Sequence, residues 1–214
     1  MPSARRRHFG RYHAPDDRDR GYLLRRSESS RTSRLWRAGG QALNQGDTPQ
    51  CVGYSAFELG RCSPVRQQVA SPRALYNLAQ EFDEWEGRDY DGTSVRGVAK
   101  ALQIMGVAES YYWAADVETA VAHVLDLGPL LLGVNWYRNM SYPDSSGRVE
   151  AKGRFDGGHA VLLRGADTRS ELVCLRNSWG RDYGIGGDCL LSFADLDRLI
   201  HEDGEACAIV EAHV

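Results

Sequence analysis

The sequence predicts an α+β architecture of two lobes, a helical one first and an antiparallel β-rich one second. Three observations carry this. Helical periodicity dominates residues 51–127. Short apolar runs separated by turn residues dominate residues 129–214. The change falls at Gly128-Pro129. Helices and strands segregated in this way pack as α+β rather than as alternating βαβ units. A groove between two such lobes is a natural binding site. The expected division is a basic extended arm over 1–35, a helical lobe over 36–128 and a β-rich lobe over 129–214.

The arm, which includes PDDRDRGYLLRRSESSRTSR, is polar, rich in charge and short of apolar periodicity. It reads as an extended segment, solvated or touching a partner. Leu35 and Trp36 mark where it docks. The first helix runs from Cys51 to Gly60, with Gly53 weakening it by propensity. In SPRALYNLAQEFDEW, Ser71 is the cap, Pro72 takes the first helical position, and Leu75, Leu78, Ala79 and Phe82 share a face. DGTSVRGVAKALQIMG starts at Thr93 or Ser94 and stops at Gly106. DVETAVAHVLDLG is capped by Asp116 and stopped by Gly128. The runs PLLLGVNWY, HAVLLRGAD, ELVCLRNSW, GDCLLSF and ACAIVEAHV read as strands. One helix, FADLDRLIHED, interrupts them.

The composition is that of a globular chain: 214 residues, 42% hydrophobic, 26% charged, net charge −3. This balance favours neither nucleic acid nor an anionic membrane as partner. No apolar run approaches the roughly 20 residues of a membrane helix. The start, MPSARRRHFGRYH, is positive but lacks the apolar core of a signal peptide. Five cysteines form no CxxC pair, so neither a disulfide framework nor a zinc site is expected. A reducing, intracellular setting follows, and neither metal nor cofactor is expected.

Cys51 opens a helix, where unsatisfied backbone N–H groups and the helix dipole favour thiolate. A small buried core residue is the alternative for a thiol considered alone. A base is available in His159, set between Gly157-Gly158 and an apolar strand. The other histidines (His8, His13, His123, His201, His213) read as surface residues. Asn177, at the end of the following strand, lies 18 positions after His159. Two antiparallel neighbours joined by a turn give that separation. Its amide can orient the imidazole without adding charge, which suits a resting thiolate–imidazolium pair. Trp179 can shield the Asn–His bond from water. Gln45 can donate, with the Cys51 N–H, to an oxyanion.

Three blocks, Asn44-Gln45-Gly46 leading to Cys51, Gly158-His159-Ala160-Val161 and Asn177-Ser178-Trp179-Gly180, resemble the active-site blocks of papain-like cysteine peptidases, in that family's order. The resemblance runs from about Trp36 to the C-terminus. It implies the family's two-lobed fold, with Cys51 as nucleophile, His159 as base and acid, Asn177 as orienter and Gln45 as oxyanion donor. It also places Gly92 and Thr93 on the non-primed wall of the groove. Gly158 leaves room beside the base and Trp179 adjoins the substrate. Asn135, Trp136 and Tyr137 are further groove candidates, and residues 142–154 read as a mobile loop nearby.

Thr48, Pro49, Gln50, Cys51 and Val52 stand where cathepsin-like members have Cys-Gly-Ser-Cys-Trp. The disulfide of secreted members is therefore not expected, and Val52 alters the primed side. With 44 residues before Gln45, the resemblance implies a compact bacterial or phage-type member without a long propeptide. Its location would be cytoplasmic, or the virion if phage-encoded. The expected partner is a peptide or protein substrate, not nucleic acid or membrane, with a possible contact through the basic arm. The same triad also serves a transpeptidase, an amidase or a peptidoglycan peptidase. A silent scaffold used for binding, such as a phage structural component, is the non-enzymatic alternative.

Overall fold

A computed structural model of the chain describes residues 9–25, 28–65, 67–83, 85 and 90–212. In chain order the elements are β1 (Arg11–Tyr12), β2 (Ser33–Leu35), α1 (Cys51–Arg61), α2 (Pro72–Gln80), β3 (Thr93–Ser94), α3 (Val95–Ile104), β4 (Ala108–Ala114), α4 (Val117–Asp126), β5 (Leu130–Tyr137), β6 (Phe155–Asp167), β7 (Leu172–Arg176), β8 (Asp188–Ser192), α5 (Phe193–His201) and β9 (Glu205–Glu211). Short 3₁₀ turns occupy Asp17–Gly21 and Arg138–Ser141.

Helices α2 to α5 begin where side chains satisfy orphan N–H groups. Ser71 accepts from Ala74 (3.2 Å), Ser94 from Gly97 (2.8 Å), Asp116 from Thr119 (2.7 Å) and Ser192 from Asp195 (3.0 Å). Gly106, at φ 71°, turns the chain after α3. Gly53 costs α1 some propensity but permits close packing. A Cβ there would lie 2.3 Å from the Pro72 carbonyl oxygen of α2.

Seven strands form one antiparallel sheet in the order β4-β9-β5-β6-β7-β8, with β2 added along β6. Register sets Val134 opposite His159 and Leu162 opposite Arg176. Helix α1 lies against β5 and β6 on one side and against α2 and α3 on the other, which makes it the most buried helix.

The structure differs from the sequence expectation in three places. Residues 108–114, placed within a helical stretch, are strand β4 on β9. The Tyr-Tyr-Trp run favours strand, and its half-buried tyrosines hid the apolar alternation. The arm is not a free extended segment over its described part. Residues 9–25 lie along the body, with Leu24 and Tyr22 exchanging backbone bonds with Trp113 (2.8 Å each). Trp36 then enters the core, its Nε1–H donating to the Val124 carbonyl at 2.7 Å.

The third difference is His123 on α4, which is mostly buried rather than a surface residue. Its Nδ1 has no hydrogen-bond partner among the described residues. His8 and His213 lie outside the described residues, while His201 is exposed. Burial pushes the His123 imidazole down to about 4 from 6.5. The folded state therefore keeps it neutral, while the unfolded chain protonates below pH 6.5. Stability from this group is complete above that pH and is lost as pH falls through 4, a loss of about 3 kcal/mol. The melting temperature should drop over this window, and His123→Gln should flatten the drop. An equal acid slope in both proteins would refute the assignment.

Candidate active site

Cys51 is the first residue of α1, and the preceding Gln50 makes no side-chain cap. The N–H groups of the first turn thus remain available near the sulfur. The thiol is fully buried and faces the backbone N–H groups of Ala160, Gly10 and Val52, with the Arg11 guanidinium nearby. Burial pushes the thiol up to about 11 against these favourable groups. In this covered form the sulfur is held as a thiol.

His159 sits in β6 directly before Ala160, whose N–H meets the sulfur. Its Nε2 lies 2.9 Å from Asn177 Oδ1. That oxygen also accepts the Ser178 backbone N–H at 2.7 Å, which fixes the orientation of the amide. His159 Nε2–H is therefore the donor. Asn177 in turn is placed by its N–H to the Gly187 carbonyl (2.9 Å). The register of β6 on β7 brings the two side chains together across a turn.

Gln45 is buried on the same side. Its N–H donates to the Ser178 carbonyl (2.8 Å), and its Oε1 accepts from Ser178 Oγ (2.6 Å). Its Nε2 donates to the Thr48 carbonyl (2.8 Å). The Thr48 carbonyl, which can only accept, thus fixes which end of the amide is the donor. Asn44 bridges to Trp179, so the 43–45 and 178–180 segments run side by side.

Aromatic rings enclose the imidazole. Trp179 stacks on it at 4.7 Å and 26°, and Trp136 meets it edge-on at 4.8 Å. Phe9 meets it edge-on at 5.8 Å and also touches Trp179. The first two rings exclude water from the His–Asn bond, which strengthens it. Phe9 belongs to the N-terminal segment, and its presence here is the largest departure from the sequence reading.

Residues 9–12 fill the groove. Gly10 N–H donates to the Gly158 carbonyl (3.2 Å), and Thr93 N–H donates to the Gly10 carbonyl (2.9 Å). Strand β1 then runs parallel to β3. The fit requires bare backbone on both sides. A Cβ on Gly158 would lie 2.0 Å from the Arg11 carbonyl oxygen, and one on Gly10 would lie 1.9 Å from that of Pro49. Tyr12 packs on Trp85 and Tyr90 at the far end. Arg11 is buried and bonds Glu205 Oε2 through Nε (3.0 Å) and Nη2 (2.8 Å), with Nη2 also reaching the Asp203 carbonyl. Further along, Arg96 pairs with Asp19.

The structure therefore brings Cys51, His159, Asn177, Gln45, Gly158 and Trp179 to one place. Gly92 and Thr93 form the opposite wall. Thr93 offers it only its backbone N–H, because its hydroxyl bonds Asp83 (2.6 Å). Trp136 lies behind His159, whereas Asn135 and Tyr137 turn away to bond Glu202 (2.9 and 2.8 Å). In the 142–154 stretch, Val149 N–H donates to the Leu190 carbonyl and ties the loop to β8 (2.9 Å). Arg11, Glu205, Phe9 and Ser178 escaped sequence reasoning. Only Ser178 carried a signal, its place inside the Asn-Ser-Trp-Gly block. Among the described residues no group of His, Cys, Asp or Glu could hold a metal ion, and no helix is long and apolar enough to cross a membrane.

No protein-family model matches the sequence, and no curated protein matches it. Solved structures do. Xylellain, a cysteine protease from Xylella fastidiosa, matches with a TM-score of 0.76 at 17% identity, over 100% of both chains. Digestive procathepsin L 3 of the Tenebrio molitor larval midgut matches with 0.67 at 16%, over 88% of this chain and 73% of that one. The bromelain protease from Ananas comosus, solved in complex with the E64 inhibitor, matches with 0.65 at 14%, over 85% and 99%. With the first of these matching over the full length of both chains, the fold of this chain is the papain-like cysteine protease fold.

Proposed function

We propose that this chain is a cysteine peptidase that hydrolyses peptide bonds through a thioacyl-enzyme, and that its N-terminal segment holds it latent. One observation carries the reading: the Cys51 sulfur, at the tip of α1, meets the Ala160 N–H beside a His159 ring oriented by Asn177. A buried core cysteine would need no imidazole, and a binding scaffold would need no orienting amide.

In the open form His159 takes the thiol proton. The sulfur bonds to the substrate carbonyl carbon, and the oxyanion is held by the Cys51 N–H and the Gln45 amide. As the C–N bond breaks, the imidazolium delivers its proton to the departing amine. Water then gives a proton to His159 and its hydroxyl to the acyl carbon. The C–S bond breaks, releasing the carboxylic acid and restoring the site. Asn177 keeps the ring aligned in both halves.

Because the leaving amine must face His159, the acyl side of a substrate lies toward Gly92. The bound segment runs the other way. Its N-terminal residue Phe9 lies at His159, and its C-terminal residue Tyr12 lies beyond Gly92. Reversed polarity puts no carbonyl in position for attack, so the segment covers the site without being cut.

A thiol-directed epoxide tests the reading. With the segment loosened by Arg11→Ala, Cys51 should be modified at least ten times faster than Cys174, the most exposed of the other four cysteines. Mass spectrometry of the adducts identifies the site. Modification of Cys174 first, or at the same rate, would end the proposal. Product masses from a peptide library then distinguish hydrolysis from transfer to an amine.

A further inference from the structure

We infer, building on the peptidase reading, that Thr48 is a positioning residue of the oxyanion site: its hydroxyl clamps the turn between Gln45 and Cys51, so that the Gln45 amide and the Cys51 N–H converge on one oxygen. The two donors lie six residues apart in the chain. One sits on a turn and the other on the first residue of α1. A loose loop of that length would not hold them at a fixed separation. The turn therefore needs an internal fastener.

Thr48 supplies it. Its Oγ1–H donates to the Gln45 carbonyl at 2.7 Å, whereas its backbone N–H reaches the same oxygen only at 3.3 Å. The hydroxyl makes the shorter bond and sets the distance across the turn. Gln45 answers through its side chain, with Nε2 donating to the Thr48 carbonyl at 2.8 Å. The two residues thus close a reciprocal ring around Gly46 and Asp47. Gly46 stands in the left-handed region at φ 59°, which glycine takes without strain, and its N–H donates to Asn44 Oδ1 at 2.9 Å. Pro49 disfavours helical backbone at Thr48, which limits where the Thr48 carbonyl can point.

The consequence for Gln45 is geometric. A primary amide is planar and carries two N–H groups. Ser178 Oγ holds its Oε1 at 2.6 Å and the Thr48 carbonyl holds one N–H, so the direction of the second N–H is set. Gln45 is buried, which keeps water from replacing these bonds. A donor serves an oxyanion only when it is aimed before the charge develops. Without the hydroxyl, the Gln45 carbonyl would keep only the long bond, and the amide would drift with the Thr48 carbonyl. A misplacement of about 1 Å can lower a rate by about 10²-fold.

The test uses the full chain carrying Arg11→Ala and a fluorogenic peptide amide. Thr48→Val keeps the shape and removes the hydroxyl. It should lower kcat about tenfold and leave KM within about twofold, because only the transition state feels an oxyanion donor. Thr48→Ser, which keeps the hydroxyl, should hold kcat within about threefold of the parent. In a Gln45→Ala background, Thr48→Val should lower kcat less than about twofold, since the group it positions is gone. Alkylation of Cys51 by iodoacetamide should proceed at one rate with and without Thr48→Val. Displacement at a saturated carbon develops no oxyanion, so this rate reads the sulfur and the imidazole alone, and a general loosening of α1 would slow it. Should Thr48→Val fail to fold by circular dichroism, Thr48→Ala takes its place. An unchanged kcat, an equal loss in Thr48→Ser, an undiminished loss in the Gln45→Ala background or a matching fall in alkylation overturns the inference and leaves the peptidase reading intact. No hydrolysis by the Arg11→Ala parent, or no preference of iodoacetamide for Cys51 over Cys174, overturns both.

Discussion

Arg11→Ala is expected to raise peptide hydrolysis by about 100-fold over the unaltered chain. The segment is held by two backbone bonds at Gly10, the two-residue strand β1, the ring contacts of Phe9 and Tyr12, and the buried Arg11–Glu205 ion pair. Removing one partner of a buried pair costs about 3–5 kcal/mol, because the other charge is left without compensation. That cost falls on the closed form alone, since opening lets water reach Glu205. At about 1.4 kcal/mol per tenfold, the lower end of the range moves the closed–open equilibrium by about two orders of magnitude. Initial rates on a fluorogenic peptide check this. A rate unchanged by Arg11→Ala, with the fold intact by circular dichroism, would show that the segment does not restrain the enzyme.

His159→Ala in the Arg11→Ala background should lower kcat/KM by at least about 10⁴-fold. General acid–base catalysis by a positioned group contributes roughly 10²–10⁴. The loss here extends beyond that term, because the same ring removes the thiol proton. Without it the sulfur of the opened form has only the N–H groups of Ala160 and Val52 to favour its thiolate. The pH profile gives a second readout. The parent should show a bell, rising as the ion pair forms and falling as the imidazolium deprotonates. The variant should show a single rise toward alkaline pH as the bare thiol ionises. Retention of the bell in His159→Ala would assign the limbs to other groups.

Much of the site was legible because its members act through short, local patterns. Cys51 announces itself by its place at a helix start, and His159 and Asn177 by the spacing of adjacent strands. Arg11 and Glu205 could not be read in this way. They are 194 residues apart, and neither sits in a pattern that distinguishes a buried ion pair from two surface charges. Phe9 was invisible for the same reason, since a polar, basic stretch with one aromatic residue has no period to reveal the surface it covers. The helices were legible from caps such as Ser71 and Asp116. Strand β4 was not, because its tyrosines face neither wholly inward nor wholly outward.

The segment that plugs the groove is also stitched to the body downstream, where Ser33–Leu35 pairs with β6 and Trp36 is rooted in the core. Nearer still, Tyr22 and Leu24 exchange backbone bonds with Trp113, so lifting residues 9–12 leaves them leashed to the molecule by about ten residues. A short flexible leash keeps its end at a local concentration on the order of millimolar. Re-capture is unimolecular and indifferent to dilution. A diffusing peptide must outcompete a neighbour that never departs, so the chain should behave as a self-resetting gate and not as a precursor spent in one irreversible cut.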